Sequence, residues 1–268
     1  GTPLAVNLGF EPQWILVKQS DAADGWYITD VMREMATDKG SYLLANSTSA
    51  ENNTDNYGVA APTPTGFILD PGSSSLLAGG EFIYMAIRRG GNKTPTAASD
   101  VFAVDTMANQ TPAFDSTFPV DMVIRRNVGG VNTNTVWARI TGQSYLNTNS
   151  NDAAANDVEA FDSNVGFGDG STYSDNHAYM WARARGYFDA LCYTGTGSAR
   201  TISHNLGVAP EMMWVKDRDA GNSWAVYYGD NTDFLILNDN SATADDSRYW
   251  NDTSPTSSVF TVGTENNT

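Results

Sequence analysis

The sequence predicts an all-β protein made of tandem antiparallel β-sandwich units of a jelly-roll or lectin-like kind. Short runs rich in Val, Ile, Tyr, Trp and Thr alternate with turns rich in Gly, Asn, Asp, Ser and Pro, which is typical of strands joined by tight turns. One order of motifs recurs three times along the 268 residues. Helical patterns are confined to residues 31–37 and 152–161, and both are too short for a stable amphipathic helix.

Each repeat opens with a proline, a nearly continuous apolar run and a basic residue. These segments are residues 12–18, 119–125 and 210–216. Runs that are apolar on both faces are expected of strands in the middle of a sandwich core. A strand that carries a tryptophan follows each run, at Trp26, Trp137 and Trp224. We therefore align the three repeats on the proline, the base and this tryptophan.

An aromatic residue with a fixed tail comes next in every repeat. Asn follows four residues after the aromatic and Ala eight residues after it, starting from Tyr42, Tyr145 and Phe234. A later strand is centred on Phe67, Phe167 or Phe260. Two repeats close with an apolar strand, which we match at Tyr84 and Tyr179, and the apolar segments 101–104 and 187–193 also correspond.

The repeat divides the chain into three predicted sandwich units. The first covers residues 1–98, the divergent second covers residues 99–186, and the third covers residues 187–268. Units of about 100 residues suit a two-sheet sandwich. Because no closing strand follows Phe260, we expect the third unit to lack that strand and the chain to be a fragment of a longer polypeptide.

The charge and the cysteine content exclude several classes of protein. The chain has 31 acidic and 15 basic residues, for a formal net charge of −16. Such a field repels phosphate backbones, so nucleic acid is not an expected partner. No apolar run approaches the ~20 residues of a membrane span, so we expect no membrane insertion. The single cysteine excludes an internal disulfide framework.

The sequence predicts no enzyme. It contains no nucleophile elbow, phosphate-binding loop, zinc-protease helix or dinucleotide fingerprint. Cys192 lies in an apolar stretch, while His177 and His204 occupy ordinary strand and turn positions. Glycoside hydrolysis by a pair of carboxylates stays open because aspartate is plentiful.

One loop is a candidate calcium site, and no other cofactor is predicted. Asp217, Asp219 and Asn222 place oxygen ligands close together in a loop that contains a glycine. Ca²⁺ takes six to eight such oxygens, and this loop does not complete a calcium motif. Asx turns are the favoured explanation of the same residues.

Four aromatic residues in predicted loops are candidates for ligand binding: Tyr57, Tyr173, Tyr249 and Trp250. An aromatic face beside Asn and Asp side chains is a common platform for a sugar ring. The alternative is that these rings fold back over the end of the sandwich. The residues alone leave both interpretations open.

The third repeat resembles a repeat found in structural proteins of tailed bacteriophages, especially aquatic ones. Residues 193–216 and 250–263 carry the resemblance most closely, and the strands at Tyr84 and Tyr179 resemble the closing strand of that repeat. The resemblance implies a virion protein, most often a tail fibre or another appendage, that is extracellular after release. It implies a homo-oligomer, usually a trimer, and it supplies no catalytic residues.

We therefore expect a non-enzymatic tail-fibre segment that presents loops to a host-surface glycan or protein. The alternative is a capsid-decorating or fibre-scaffold protein that binds only other virion subunits. A polysaccharide depolymerase is the third hypothesis.

Overall fold

A computed structural model describes most of the chain as short antiparallel strands. It covers residues 4–33, 35–36, 40–52, 59–69, 80–89, 94–108, 110–130, 133–156, 161–168 and 175–268. The strands form several antiparallel sheets that pack into sandwich-like units. The predicted fold class is confirmed.

The first unit is built from two sheets that share one core. Its strands are β1 (Leu4–Asn7), β2 (Pro12–Gln19), β3 (Tyr27–Asp30), β4 (Leu43–Leu44), β5 (Ala60–Thr63), β6 (Gly66–Leu69) and β7 (Phe82–Arg88). The larger sheet has the order β4-β3-β2-β7 and the smaller sheet the order β1-β6-β5. Ile15, Val17 and Tyr27 of the larger sheet pack with Phe67 and Leu69 of the smaller one. The core therefore lies between the two sheets.

The second unit has the most complete large sheet. Its strands are β8 (Phe102–Thr106), β9 (Phe114–Asp115), β10 (Met122–Asn127), β11 (Thr135–Ala138), β12 (Ser144–Asn147), β13 (Ala155–Asn156), β14 (Gly166–Phe167) and β15 (Asn176–Trp181). The sheet orders are β13-β12-β11-β10-β15-β8 and β14-β9. Val123, Trp137 and Met180 of the large sheet are fully buried against Phe114 and Phe167.

The third unit has two sheets and a divided core. Its elements are β16 (Arg200–Ser203), β17 (Met213–Val215), β18 (Ala225–Tyr227), β19 (Asp233–Ile236), β20 (Ala244–Asp245), the helical turn α1 (Ser247–Trp250) and β21 (Val259–Val262). The sheets have the orders β17-β18-β19-β20 and β16-β21. One apolar cluster surrounds Tyr227 and Trp250, a second surrounds Ile202 and Phe260, and Met213 touches both.

Helices make a small contribution to the described part of the chain. Besides the four-residue α1, there are three-residue 3-10 turns at Val31–Arg33, Ala98–Asp100 and Arg139–Thr141. The predicted helical turn at residues 31–37 is present in part, whereas the described part of residues 152–161 contains the short strand β13 instead. No helix among the described residues combines the length and apolar character needed to cross a bilayer.

The asparagine of the fixed tail closes the same turn in all three units. Its side-chain oxygen accepts a backbone N–H at the start of the preceding strand: Trp26 N to Asn46 (2.8 Å), Asn134 N to Asn149 (3.1 Å) and Trp224 N to Asn238 (2.9 Å). The carbonyl of that same residue accepts the N–H of Ala45 (2.8 Å), Thr148 (2.9 Å) or Leu237 (3.1 Å). The strict spacing of this asparagine follows from this pair of hydrogen bonds.

The same turn corrects the alignment of the second unit. Asn134, and not Trp137, occupies the position of Trp26 and Trp224. Arg125 accordingly pairs with Thr135 at the point where Val17 pairs with Tyr27. The alignment on the proline and the base is therefore wrong by one residue in the second unit.

The alignment of the closing strands of the first and second units changes by the same one residue. Val17 lies opposite Tyr84, whereas Arg125 lies opposite Ala178, so the match of Tyr84 with Tyr179 is also wrong by one residue. Side chains alternate between the two faces of a strand, and a slip of one residue would turn the buried face outward. The burial of Val123, Ala178 and Met180 decides the register in the second unit.

The predicted strand at residues 187–193 is not formed. Only an isolated bridge joins Phe188 to Ala184, while Leu191 and Tyr193 pack against the cluster of Ile202 and Phe260. In the second unit, the corresponding strand β8 pairs with the closing strand β15. No closing strand offers that pairing in the described residues of the third unit.

Candidate functional site

The structure does not support the predicted aromatic platform. Tyr57 and Tyr173 lie outside the described residues. Tyr249 and Trp250 are buried, with 6% and 1% of their surfaces exposed. The expectation that these two rings are exposed is wrong, and they fold back over the core.

A single helical turn directs both rings inward. The side chain of Asp246 caps α1 by accepting the backbone N–H of Arg248 at 3.0 Å, a standard way to start a helix. Tyr249 stacks on Phe234, and Trp250 meets the ring of Tyr227 edge-on at 5.8 Å. Burial raises the pKa of the Tyr249 hydroxyl above its ordinary value. The turn therefore serves the core.

The predicted calcium loop satisfies its own oxygens. Asp217 accepts the backbone N–H of Asp219 at 2.9 Å through one carboxylate oxygen and the amide of Asn222 at 2.6 Å through the other. This is an Asx turn. Within the described ranges, no group of three or more His, Cys, Asp or Glu side chains is arranged to hold a metal ion. The geometry favours the turn over calcium.

The side chain of Lys216 lies over this loop. The ammonium of Lys216 donates to the carbonyl of Asp217 at 2.5 Å and to that of Ala220 at 3.0 Å. Lys18 binds the carbonyls of Gln19 and Ala22 in the same way in the first unit. The base that ends the proline-led apolar run therefore folds over the turn that follows it in both units.

The most densely bonded polar cluster joins the three units. We call it the ionic junction, and it consists of Glu11, Arg89, Asp121, Arg139, Arg183 and Asp189. At its centre the guanidinium of Arg183 binds Glu11 through two hydrogen bonds, of 2.6 and 2.7 Å. Both side chains are buried, with 6% and 5% exposed. This paired geometry gives charge-assisted hydrogen bonds their greatest strength.

Asp121 connects the second unit to the end of the first. Its carboxylate accepts the backbone N–H of Arg183 at 2.6 Å and the guanidinium of Arg89 at 3.1 and 3.2 Å. Arg139 donates to the carbonyl of Val120 at 2.9 Å and reaches the carbonyl of Val31 in the first unit at 3.5 Å. Hydrogen bonds that involve both side chains and backbone groups therefore hold the first and second units together.

Asp189 and Asn205 bring the third unit into the same cluster. One oxygen of Asp189 accepts Arg183 Nε at 2.7 Å, and the other accepts the backbone N–H of Asn205 at 2.8 Å. The side-chain amide of Asn205 also reaches Glu11 at 3.3 Å. A single guanidinium therefore bridges carboxylates from the first and third units.

The charges of the ionic junction balance. Three guanidinium groups face three carboxylates within it. Burial by itself lowers the pKa of Arg183, but Asp189 and Glu11 outweigh it and raise that pKa above its ordinary value. The neighbouring carboxylates therefore favour the charged form of Arg183. Removing one partner of a buried ion pair leaves an uncompensated charge and costs about 3–5 kcal/mol.

A cavity at the ionic junction is too small for a substrate. Its volume is about 10 Å³, room for one water at most, with Val31, Met35 and Ile140 beside the charged groups. Sites for small molecules usually enclose about 300 Å³ or more. The junction is built to hold segments of the chain together.

Comparison with known families identifies the outer units. The model of a family described as a domain of unknown function, DUF7483, matches residues 4–89 and 188–268, which is more than half of the chain. The chain belongs to this family. No curated protein and no solved structure matches it. The matched segments fall in the first and third repeats, whereas the second repeat, which differs from them in the position of its tryptophan, is not matched.

Both DUF7483 segments contribute to the ionic junction. Glu11 and Arg89 belong to the first matched segment and Asp189 and Asn205 to the second, while Arg183 comes from the unmatched unit between them. Sequence reasoning missed these residues because a charged residue at the end of an apolar strand is usually exposed. The available signal was position, since Glu11 and Arg183 stand directly beside apolar strands.

The DUF7483 units also differ in how they use their tryptophan. Trp224 is 6% exposed and its indole N–H donates to the carbonyl of Asn147 in the second unit at 2.9 Å. The backbone of Arg218 accepts the N–H of Ala154 beside it at 2.8 Å. Trp26, at the equivalent position of the first unit, is 37% exposed. One tryptophan of the pair binds a neighbouring unit, and the other faces outward.

Proposed function

We propose that this protein is a non-enzymatic structural component of a phage virion, a segment of a tail fibre or similar appendage that presents loops to the host surface. The observation that carries the proposal is the ionic junction, in which Arg183 joins Glu11 and Asp189 from different units. A row of sandwiches with fixed orientation suits a part that spaces and presents binding loops. The resemblance of residues 193–216 to phage structural repeats supports the same role.

A rigid row of units also suits weak, repeated contacts. Several copies held at fixed spacing convert weak individual contacts into strong overall binding. Flexible links between the units would lower the effective concentration of the second contact. The buried bonds of Arg183 and Asp121 limit such flexibility between all three units.

Trp26 is the best candidate for a contact with a host glycan among the described aromatics. The residue is 37% exposed, its backbone N–H donates to Asn46, and Asp24 bonds the adjacent Gly25. An aromatic face with Asn and Asp neighbours is the arrangement expected of a sugar platform. Trp26 therefore replaces Tyr249 and Trp250, the residues that the sequence predicted, as the candidate for ligand binding.

Retention on host surfaces tests the attachment role. The labelled chain is incubated with a panel of aquatic bacteria and with a glycan array, and we expect retention that Trp26→Ala reduces at least tenfold. Tyr187→Ala is the matched control, because Tyr187 is 55% exposed and belongs to the third unit. If no surface retains the chain, the attachment role is excluded.

Labelling of virions tests the location. An antibody against this chain should label the tail or its appendages in electron micrographs of intact particles. Labelling spread over the capsid lattice would instead favour the alternative, a capsid-decorating protein. The exposed apolar strand β7 is the observation that favours binding to other virion subunits, since Ile83 and Met85 are 51% and 57% exposed.

A further inference from the structure

The larger sheet of the second unit is apolar on both of its sides. On the core side, Val123, Trp137, Ala178 and Met180 are buried. Successive side chains of a strand point to opposite sides, and residues directly opposite each other on neighbouring antiparallel strands share a side. The strand register therefore assigns the alternate residues to the side that faces away from the core, which we call the outer face.

The outer face consists of three rows of side chains that cross the sheet. The middle row has an apolar or aromatic side chain on each of five strands, namely Val104, Tyr179, Ile124, Val136 and Leu146. A second apolar row lies on one side of it and contains Phe102, Trp181, Met122 and Ala138. A polar row lies on the other side and contains Thr106, His177 and Arg126. An antiparallel sheet that covers one core usually has a polar outer side, so this composition needs an explanation.

The folded chain leaves the middle row accessible. Val104 and Tyr179 are 52% and 41% exposed. In the neighbouring apolar row, the ring of Phe188 lies 6.1 Å from that of Trp181, so a segment of the third unit covers part of that row. With strands about 4.8 Å apart and rows about 7 Å apart, the two apolar rows cover about 300 Å². Apolar patches of this size on a protein surface are often interaction sites.

The other two units repeat the apolar middle row. In the first unit the equivalent residues are Met85, Leu16, Ile28 and Leu43, and in the third unit they are Trp214, Val226 and Leu235. Burial in one core accounts for only one apolar side of each strand. The repeated outer row is therefore the second reason why the proline-led runs are apolar on both faces.

The charge of the chain favours a second copy as the occupant of the outer face. Each copy has a formal net charge of −16, so two copies repel each other over most of their surfaces. None of the residues in the three rows is acidic, although the chain contains 31 acidic residues. Two copies can therefore approach through the outer face without burying a carboxylate, which would be costly.

We propose that the outer face of the second unit packs against the outer face of the second unit in another copy of this protein. Two sheets pack face to face about 10 Å apart in the same way inside a sandwich. Because both copies use the same surface, the contact closes into a two-fold dimer. About 300 Å² is less than the ~800 Å² that each partner buries in a standard stable complex, so the dimer should be weak and depend on concentration. The proposal goes beyond the virion role and does not depend on it.

Glutamate substitutions on and off the outer face test this contact. Tyr179→Glu and Val104→Glu place a charge in the middle row. Val165→Glu is the matched control, because Val165 precedes β14 in the smaller sheet of the same unit and is 44% exposed. All three side chains are accessible to water, so circular dichroism and thermal unfolding should stay as in the parent chain.

Analytical ultracentrifugation measures the association of these variants. The parent chain and Val165→Glu should approach twice the monomer mass as their concentration rises. Tyr179→Glu and Val104→Glu should raise the dissociation constant of the dimer about tenfold or more, because a carboxylate would be buried without a partner. Equal loss of association in Val165→Glu would show that added charge alone is responsible and would overturn the proposal.

Sodium chloride distinguishes an apolar contact from one held by ion pairs. Salt screens the repulsion between two copies of this acidic chain, so added salt should strengthen the dimer. Weakening of the dimer by salt would mean that ion pairs hold the copies together, and the outer face would not be the contact.

Other results would also overturn the proposal. These are a parent chain that stays monomeric at every concentration and salt level, and a mass that rises to three monomers. Loss of association in Val104→Glu but not in Tyr179→Glu would assign the contact to the edge of β8, since Tyr179 lies on the inner strand β15. Binding of a monomeric parent chain to phosphatidylcholine vesicles, lost in Tyr179→Glu, would assign the outer face to a lipid surface.

Discussion

The second unit has a closing strand, and the described residues of the third unit do not provide one. The core of the third unit is divided in two. In the second unit, β15 lies beside β10, and its residues Ala178 and Met180 belong to one continuous buried cluster. In the third unit, β17 has no such neighbour in the described residues, and two clusters meet only at Met213. The closing strand therefore joins the two halves of a sandwich as well as extending a sheet.

The largest expected effect comes from the ionic junction that holds these two units together. Replacing Arg183 with Met leaves Glu11 and Asp189 buried without their partner, which should cost about 5 kcal/mol of unfolding free energy. Denaturant unfolding should also become less cooperative, because the third unit loses its charged link to the first and keeps only neutral bonds such as that of Trp224 to Asn147. Arg248→Met removes an exposed ion pair and should leave the transition nearly unchanged. A single unshifted transition in Arg183→Met would contradict the proposed linkage.

A matched pair of core substitutions compares the two units directly. Phe167→Ala empties a fully buried position in the continuous core and should cost about 3–4 kcal/mol. Phe260→Ala, at the equivalent strand of the third unit, should cost clearly less, because its cluster is small and the ring is 7% exposed. Chemical denaturation of both variants measures the difference. Equal losses would mean that the division of the core has no energetic consequence.

The smaller cluster of the third unit should make its stability sensitive to high pH. Burial raises the pKa of Tyr193 to about 12 from its ordinary value of 10.0. The unfolded chain therefore loses this proton first, and stability should fall by about 2 kcal/mol as the pH rises from about 10 to about 12. Over this range, the free energy of unfolding of Tyr193→Phe, whose ring keeps the packing, should vary less with pH than that of the parent chain. Unchanged pH dependence in that variant would show that another tyrosine is responsible.

The smallest effect should be shared by the two units. Asn149→Ala and Asn238→Ala remove the side-chain oxygen that accepts the N–H of Asn134 or Trp224, and each should cost about 1 kcal/mol. Thermal unfolding should place the two variants at similar shifts, whereas Asn240→Ala, at an exposed turn position, should have almost none. Very different shifts for Asn149 and Asn238 would show that the turn does not serve the same purpose in both units.

Much of the fold could be predicted from local patterns. The alternation of apolar runs with turn residues predicted strands. The fixed spacing of Asn46, Asn149 and Asn238 was visible in the sequence, but their hydrogen bonds, to residues 20, 15 and 14 positions away, were not. The predicted strand centres at Phe67, Phe167 and Phe260 are buried as expected. Side-chain alternation and turn composition depend on residues close together in the chain, so a single sequence contains them.

The register of the second unit and the positions of the polar groups depended on contacts between distant residues. Arg183 and Glu11 are 172 residues apart, and the partner of neither residue can be inferred from its type. The sequence predicted Tyr249 and Trp250 as loop residues, whereas in the structure they pack against Phe234 and Tyr227. By itself the sequence determined the all-β, repeated character of this protein. Only the tertiary structure decided which face of each strand is buried and which charges meet, because burial and pairing depend on which residues the fold brings together.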